Sequence, residues 1–510
     1  MSSESFNLAT AKIDQQLFYK LPYAFLEKHQ LIPICEPRPG VTQVAMADPD
    51  DIETLDELKR VITTELEIVK ATPEEIAEAI ERCNSGNASS VEKVIQDLTE
   101  DDLEIIGNIR EDQDGVDVAN EAPIIKLVNL IIWNALQMRA SDIHIEPFEN
   151  QLLVRYRVDG VLHEMSSPPH NLHAAILSRI KIMSDLDISE RRTTQDGRIQ
   201  MKLGQKEIDI RVSIMPTVWG ENVVMRLLDK SGLMLDLTEL GFDEHHLKLY
   251  DSMLRVSHGI VLVTGPTGSG KTTTLYSSLK VLNKPDVKII TIEDPVEYQI
   301  KGINQIHVNA KVGLTFAQGL RSILRQDPDI VMVGEIRDVE TAETAVQASL
   351  TGHLVFSTLH TNDAPSAITR LIDMGVEPYL ITSSVIGVLA QRLVRVLCPY
   401  CKEESEEDVT EALDRLMIPE EIAPRGKHKI FKAKGCEKCR DTGFKGRISL
   451  FEIMQMSEEI KALTLKRAAA YEIKKQAIKE GMVTLQHSGW QKVLAGVTTL
   501  EEVLSVTEEV

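Results

Sequence analysis

The stretch Gly265-Pro266-Thr267-Gly268-Ser269-Gly270-Lys271-Thr272 constrains this chain more than any other. It has the Gly-x-x-x-x-Gly-Lys-Ser/Thr spacing, follows an apolar run at 260–264, and opens a segment, 271–282, of helical character. Glycines let backbone N–H groups turn inward around a β-phosphate, and the helix beyond adds the partial positive charge of its N-terminus. Lys271 then reaches the β- and γ-phosphates, Thr272 ligates magnesium, and Thr273 completes the nucleotide-contacting set.

A loop of this kind sits at the C-terminal edge of a parallel sheet. The runs 260–263, 288–292, 330–333 and 354–358 carry few charges, as strands covered on both faces do. Further chemistry is expected where neighbouring strands end. One run ends in Glu293-Asp294-Pro295-Val296-Glu297 and another in Gly334-Glu335. A carboxylate there orients the attacking water or holds magnesium through water, so Glu293, Glu297 and Glu335 are candidates. Solvated strand-end acids are the plain alternative. His353 and His360 bracket the run 354–358, as structural residues or as sensors of the γ-phosphate or of a domain interface. Arginines stabilise charge on a transferring phosphoryl group. The candidates are Arg211, Arg226, Arg321 and Arg325, each equally a surface ion-pair residue by spacing alone.

Four of the six cysteines form two Cys-x-x-Cys knuckles, Cys398/Cys401 and Cys436/Cys439. Four thiolates close a tetrahedral structural zinc site and leave no open position for catalysis. The long gap between the knuckles reads as a polar, charge-rich insertion with little apolar surface of its own. Cys35 and Cys83 stand alone and read as small buried hydrophobes.

The chain has 510 residues, enough for several domains. Residues 1–83 read as a small α/β domain, with a helical pattern at Leu55, Leu58, Val61 and Ile62 and a helix opened by Thr72 and Pro73. Residues 84–121, rich in Ser, Asn and Gly and then in acid, read as a flexible linker. Residues 122–236 read as a second, mostly antiparallel domain. It has a helix from Pro123 to Arg139 and strands at 143–146, 151–158, 198–203, 207–214 and 222–228. Alternation in 153–158 and 208–212 puts arginines on one sheet face, opposite the apolar one. Residues 237–510 form the phosphate-loop domain, with the cysteine insert at 398–439. A net charge of −22 and 4% aromatic residues argue against a nucleic-acid binder. The polar start lacks a secretory signal and no apolar run is long enough to cross a bilayer, so a cytoplasmic protein that meets membranes through partners is expected.

From residue 122 on, these motifs in this order resemble the secretion ATPase superfamily, and most closely the type II secretion ATPases (general secretion pathway protein E). The likeness is carried by residues 139–146 (RASDIHIE), 155–160 (RYRVDG), 195–198 (QDGR), 215–217 (MPT), the phosphate loop, the acidic box 293–297, the segment ending in Glu335 and the His box 353–360. Residues 21–25 (LPYAF) resemble the start of the family's first domain. Thr193-Thr194 and Ile214 depart from the usual pattern. The resemblance implies an α/β multidomain fold: a RecA-like P-loop NTPase core with a parallel sheet, a PAS-like α+β domain before it, a small N-terminal α/β domain, and a four-cysteine zinc insert. It also implies ATP, Mg2+ and Zn2+ as cofactors, nucleotide contacts from Arg211, Arg226, Arg321 and Arg325, and a homo-hexamer. Expected partners are an inner-membrane secretion protein (type II secretion protein L) at the first domain and a polytopic platform protein (type II secretion protein F). Pilus-retraction ATPases resemble the motor but lack the cysteine insert. Pilus-assembly ATPases share it and remain an alternative, as does a DNA-handling conjugation or uptake ATPase.

Overall fold

The structure, a computed structural model of the chain, describes residues 29–38, 41–49, 65–73, 122–203, 206–229 and 235–507, with positions 51, 54, 58, 75 and 76. The linker expected at 84–121, the family-like 21–25 and most of the helical pattern at 55–62 lie outside the described residues. The chain divides into two compact units, 1–231 and 232–510.

Among the described residues the first unit contains two sheets. In the smaller, β1 (Leu31–Arg38) pairs antiparallel with β2 (Val41–Met46), which runs parallel to β3 (Glu65–Lys70). Thr72 caps the turn that follows. Its Oγ1 accepts the Glu75 N–H at 3.3 Å, and Glu75 Oε2 accepts the Thr72 N–H at 2.9 Å, a reciprocal capping box.

The larger sheet follows α1 (Ala122–Gln137). Its strands are β4 (Ala140–Pro147), β5 (Leu152–Val158), β6 (Val161–Ser166), β7 (Gln195–Leu203), β8 (Lys206–Thr217) and β9 (Gly220–Asp229), in the spatial order β6-β5-β4-β9-β8-β7, antiparallel throughout. The alternation read from the sequence appears as two unlike faces. Ile143, Ile145, Val154, Tyr156, Ile210, Val212 and Met225 are buried in one cluster with Ile124, Leu127 and Ile131 of α1 and Ile176 and Ile180 of α2 (His173–Met183). On the other face the register sets Arg157, Asp142, Arg226, Arg211 and Arg198 side by side across five strands. The sequence reading had missed β6 because Val161–Ser166 is only partly buried and lacks a clean alternation.

The second unit is built on a seven-stranded sheet. It comprises β10 (Gly259–Thr264), β11 (Ile289–Glu293), β12 (Asn304–His307), β13 (Ile330–Val333), β14 (Leu354–Leu359), β15 (Val385–Leu397) and β18 (Phe444–Gln455). The order is β12-β11-β13-β14-β10-β15-β18, parallel except for the β15–β18 pair. Both faces are covered. Val261, Val263, Met332 and Phe356 meet α3 (Glu244–Leu254) and α4 (Lys271–Leu282) on one side. Ile260, Leu262, Val331 and Val355 meet α5 (Phe316–Ile323), α6 (Val339–Leu350) and α7 (Ala364–Asp373) on the other. Two flanking layers explain why these strands read as continuous apolar runs.

The cysteine insert differs from its expectation. Between the knuckles, β16 (Glu403–Asp408) and β17 (Lys427–Lys432) form a hairpin-like pair around α9 (Thr410–Arg415), which follows α8 (Pro378–Ser384). Val409, Leu413, Leu416, Ile418 and Ile430 are buried in the same core as Leu450, Trp490 and Val503. The insert thus has an apolar side, and it is joined to the main domain by packing. Among the described residues no helix is long and apolar enough to cross a membrane.

Candidate active site

The phosphate loop leaves the C-terminal end of β10, and Lys271 is the first residue of α4. Gly265, Gly268 and Gly270 have φ of +148°, +81° and +88°. At Gly265 a Cβ would lie 2.5 Å from the Gln391 carbonyl and 2.6 Å from Ser269 Oγ, so only glycine lets the loop close against β15. The Lys271 ammonium donates to the carbonyls of Gly265 (2.7 Å) and Pro266 (3.0 Å). Burial lowers its pKa to about 8, opposed by Glu335 and aided by Arg392. Ser269 Oγ is buried with no hydrogen-bond partner. A buried hydroxyl without a partner beside an ammonium is what a phosphate oxygen would satisfy. Thr272 is exposed and Thr273 half-buried on the first turn of α4.

Glu335 follows β13 at the same edge. Its carboxylate meets Arg337 Nη2 at 2.6 Å and His360 Nε2 at 3.4 Å. Side chains of β14 fix this strand tip. Ser357 Oγ donates to the Val333 carbonyl and Thr358 Oγ1 to the Gly334 carbonyl, at 2.8 and 2.7 Å. Arg337 was not a candidate in the sequence, since an arginine two residues beyond an acid has no signature of its own.

The remaining candidates divide. Glu293 ends β11 but is 3% exposed and engaged by neighbouring side chains. The Glu297 N–H points to the Tyr276 hydroxyl at 3.4 Å. His353 stands at the start of β14, the edge opposite the phosphate loop, and its Nδ1 lies 2.8 Å from the Ala348 carbonyl at the end of α6. Six residues of strand put it roughly 20 Å from the loop edge. Arg321 lies in the last turn of α5 and Arg325 just beyond it, in the segment that leads back to the start of β13. Arg321 pairs with Glu340 at 2.8 Å, and Arg325 donates to the Arg321 carbonyl and to Ser322 Oγ. The structure therefore gathers Lys271, Glu335 and His360 at one edge, and not His353; Arg321 is tied to Glu340 in the first turn of α6, a few residues beyond Glu335, and Arg325 is held against the last turn of α5.

On the arginine face of the first unit, Arg226 Nε donates to Asp142 Oδ1 at 3.0 Å, Arg157 Nε is 3.9 Å from Asp142 Oδ2, and Arg198 pairs closely with the buried Asp209. Arg211 is between Arg226 and Arg198 in register.

Sequence reasoning missed the far wall of the phosphate loop. Gln391 of β15 is buried, accepts from Thr274 Oγ1 of α4 at 2.8 Å and donates to Ser449 Oγ at 2.9 Å. A cavity of about 530 Å³ borders residues 266–269 and is lined by Asp363, Arg392, Glu452 and Lys474. Burial, reinforced by Asp363, pushes the Glu452 carboxyl up to about 7, although it accepts the N–H groups of Ala364 and Leu485. Gln391, Arg392 and Glu452 sit in apolar runs without a motif, and Asp363 and Lys474 in ordinary polar stretches, so no local signal marks them.

The four knuckle cysteines converge, with ligand atoms all within 4.8 Å of one another. Cys398 and Cys436 sulfurs are 3.9 Å apart, Cys401 and Cys439 3.7 Å, and Cys436 and Cys439 3.7 Å. A tetrahedron with Zn–S bonds of about 2.3 Å has edges of about 3.8 Å, so the spacing suits a metal and is far too long for disulfides. Cys439 Sγ also accepts the N–H groups of Cys436 and Gly443, at 3.1 and 3.2 Å. Burial raises its pKa, but these backbone donors bring it down to about 7.

The family described as Type II/IV secretion system protein matches residues 117–505, and the MshEN domain matches residues 2–90. The chain is 48% identical to the type IV pilus assembly ATPase PilB of Myxococcus xanthus, over 98% of this chain and 88% of that one. It is 46% identical to the type II secretion system protein E of Pseudomonas aeruginosa, over 96% of each. With the type II secretion system ATPase E of Vibrio cholerae it shares 43% identity, over 97% of this chain and 98% of that one. Among solved structures it shares its fold with the Legionella pneumophila ATPase DotB (TM-score 0.55, 20% identity, 74% of this chain and 94% of that one). The pilus retraction motor PilT with bound ADP is similar too (TM-score 0.50, 24% identity, 74% and 96%). A phosphate loop with Glu335 at the neighbouring edge, on a chain matched over most of its length, makes this protein a member of the type II/IV secretion system protein family and an ATP hydrolase.

Proposed function

We propose that the chain couples hydrolysis of Mg-ATP to pseudopilus assembly and protein export by a type II secretion system. The observation that carries the chemistry is the grouping of Lys271, the partnerless Ser269 hydroxyl and Glu335 at one sheet edge. In this reading residues 265–270 and Lys271 cradle the phosphates, Thr272 holds magnesium with Thr273 beside it, and Glu335 orients the attacking water, with His360 close to it. Glu297 belongs to the segment behind that edge. Arg211, Arg226, Arg321 and Arg325 are nucleotide contacts in the same reading. His353 stands at the far edge of its own sheet, so a contact from it is made to a neighbouring copy in a ring, which suits the expected hexamer. The division into 1–83, 84–121, 122–236 and 237–510 belongs to the same proposal. So do a cytoplasmic location, docking of the first domain on an inner-membrane protein (type II secretion protein L) and transmission to a platform protein (type II secretion protein F).

A pilus-assembly motor is the second reading, favoured by an identity to PilB (48%) in the range of those to type II proteins (43–49%). Deleting the gene in its own bacterium separates them. Export of secreted enzymes stops while pili remain if the first reading holds, and pili vanish while export continues if it fails. The zinc proposal is checked apart. Metal analysis of the purified chain should give one zinc per chain, released in Cys436→Ser, while zinc-free protein with four reactive thiols would end it.

A further inference from the structure

Glu293 is buried at the tip of β11, beside β13, yet stands apart from the Glu335–Arg337–His360 group. Both of its oxygens are engaged. Oε2 accepts a short hydrogen bond from the Tyr276 hydroxyl, and Oε1 accepts from Thr291 Oγ1 at 2.5 Å and Gln305 Nε2 at 3.2 Å. Tyr276 belongs to α4, four residues beyond Thr272, and therefore lies one turn along the same helix face. It is 1% exposed, and its ring meets that of Tyr298 edge-on with centroids 4.5 Å apart. Its hydroxyl also accepts the Glu297 N–H at 3.4 Å. Gln305 closes the far side, donating to the Tyr298 carbonyl at 3.1 Å and accepting the Ile300 N–H at 2.7 Å. Burial and the adjoining Glu293 charge hold the Tyr276 phenol far above its ordinary pKa, so it remains a donor. The excursion from β11 to β12 is thus fastened to the helix of the phosphate loop. Asp294 in that excursion is within electrostatic reach of Arg337, the partner of Glu335.

We propose that Tyr276 is a positioning residue for ATP hydrolysis: through Glu293 it ties the helix of the phosphate loop to residues 293–298, and Glu293 acts through this tie, not on the water or the metal. This rests on the reading of Lys271 and Glu335 given above. It reassigns Glu293 from the catalytic set, because a carboxylate whose two oxygens already accept three side-chain donors is not presented to a substrate.

The test compares Tyr276→Phe, Glu293→Gln and the double variant in the full chain, with Glu335→Gln as reference. Each protein is measured for kcat, for affinity toward a fluorescent ATP analogue, and for thermal midpoint. Tyr276→Phe keeps the ring and removes only the hydroxyl. Glu293→Gln turns one acceptor toward donors as an NH2. Each should lower kcat roughly tenfold with analogue affinity within about threefold, and the double variant should be no slower than the slower single, because both cut one tie. Multiplicative losses in the double variant would overturn the proposal. So would Glu293→Gln as slow as Glu335→Gln beside a normal Tyr276→Phe, which would make Glu293 act directly. A lowered thermal midpoint with kcat intact would reduce the network to a structural role and overturn it equally. Near-normal turnover in Glu335→Gln would instead refute the underlying reading, a separate outcome.

Discussion

The tips of β11 and β13 are hydrogen-bonded neighbours, and each carries a glutamate at the same edge of the sheet. Glu293 is sealed beneath α4 by Tyr276, Thr291 and Gln305. Glu335, its side chain 16% exposed, faces Arg337 and His360. Position at a strand end selects both residues as candidates. Burial and the partners of each oxygen separate them: one carboxylate is engaged by the loop's helix and its neighbours, while the other faces Arg337 and His360. β14 offers the same contrast along its length, with His360 at the phosphate edge and His353 at the far edge.

The comparison can be broken at several points. The largest effect belongs to the loop that both glutamates serve. Lys271→Ala removes the ammonium held inside the loop by the Gly265 and Pro266 carbonyls, and binding of the ATP analogue should weaken by about two orders of magnitude or more in a fluorescence titration. If binding survived, the anion site would lie elsewhere and neither glutamate would be near it.

Next comes the arginine face of the first unit. Arg226→Ala should cut kcat on the order of 10³-fold, as loss of a transition-state arginine does, with an unchanged thermal midpoint. A lowered midpoint would mark Arg226 as a structural partner of Asp142, to which it is bonded at 3.0 Å.

The two histidines supply the smallest effects and the sharpest contrast. His360→Ala should slow turnover several-fold, since its ring is 3.4 Å from Glu335. His353→Ala, assayed as the isolated single chain, should leave turnover within about twofold and show its effect in thermal unfolding, because its ring is bonded to the end of α6. Equal kinetic losses from both would mean that the far edge of β14 also takes part in the reaction.

What the sequence made legible follows from local physics. The phosphate loop declares itself because backbone chemistry demands glycines at fixed spacing, and the central strands because two covering layers make them uniformly apolar. The knuckles are legible because thiolate pairs need no context. The partners of Glu293 were not legible. Thr291 is two residues away on the same strand, but Tyr276 and Gln305 come from a helix and a neighbouring strand, and only the fold brings them to this carboxylate. The insert was misread for a related reason. Val409, Leu413, Ile418 and Ile430 are thinly spread among charges, and their burial depends on a surface provided by residues more than fifty positions away, such as Trp490 and Val503. Arg321 and Arg325 match a family pattern, but the partner that holds Arg321, Glu340 of α6, is a property of topology.

The most direct measurement is a paired one on Glu335→Gln: affinity for the ATP analogue and steady-state hydrolysis in the same preparation. The account predicts affinity within about threefold of the parent and kcat lower by ~10²–10⁴-fold, since a water-positioning acid acts in the transition state and not in binding. Near-parental kcat in Glu335→Gln would contradict it and move the catalytic acid to another residue of that edge.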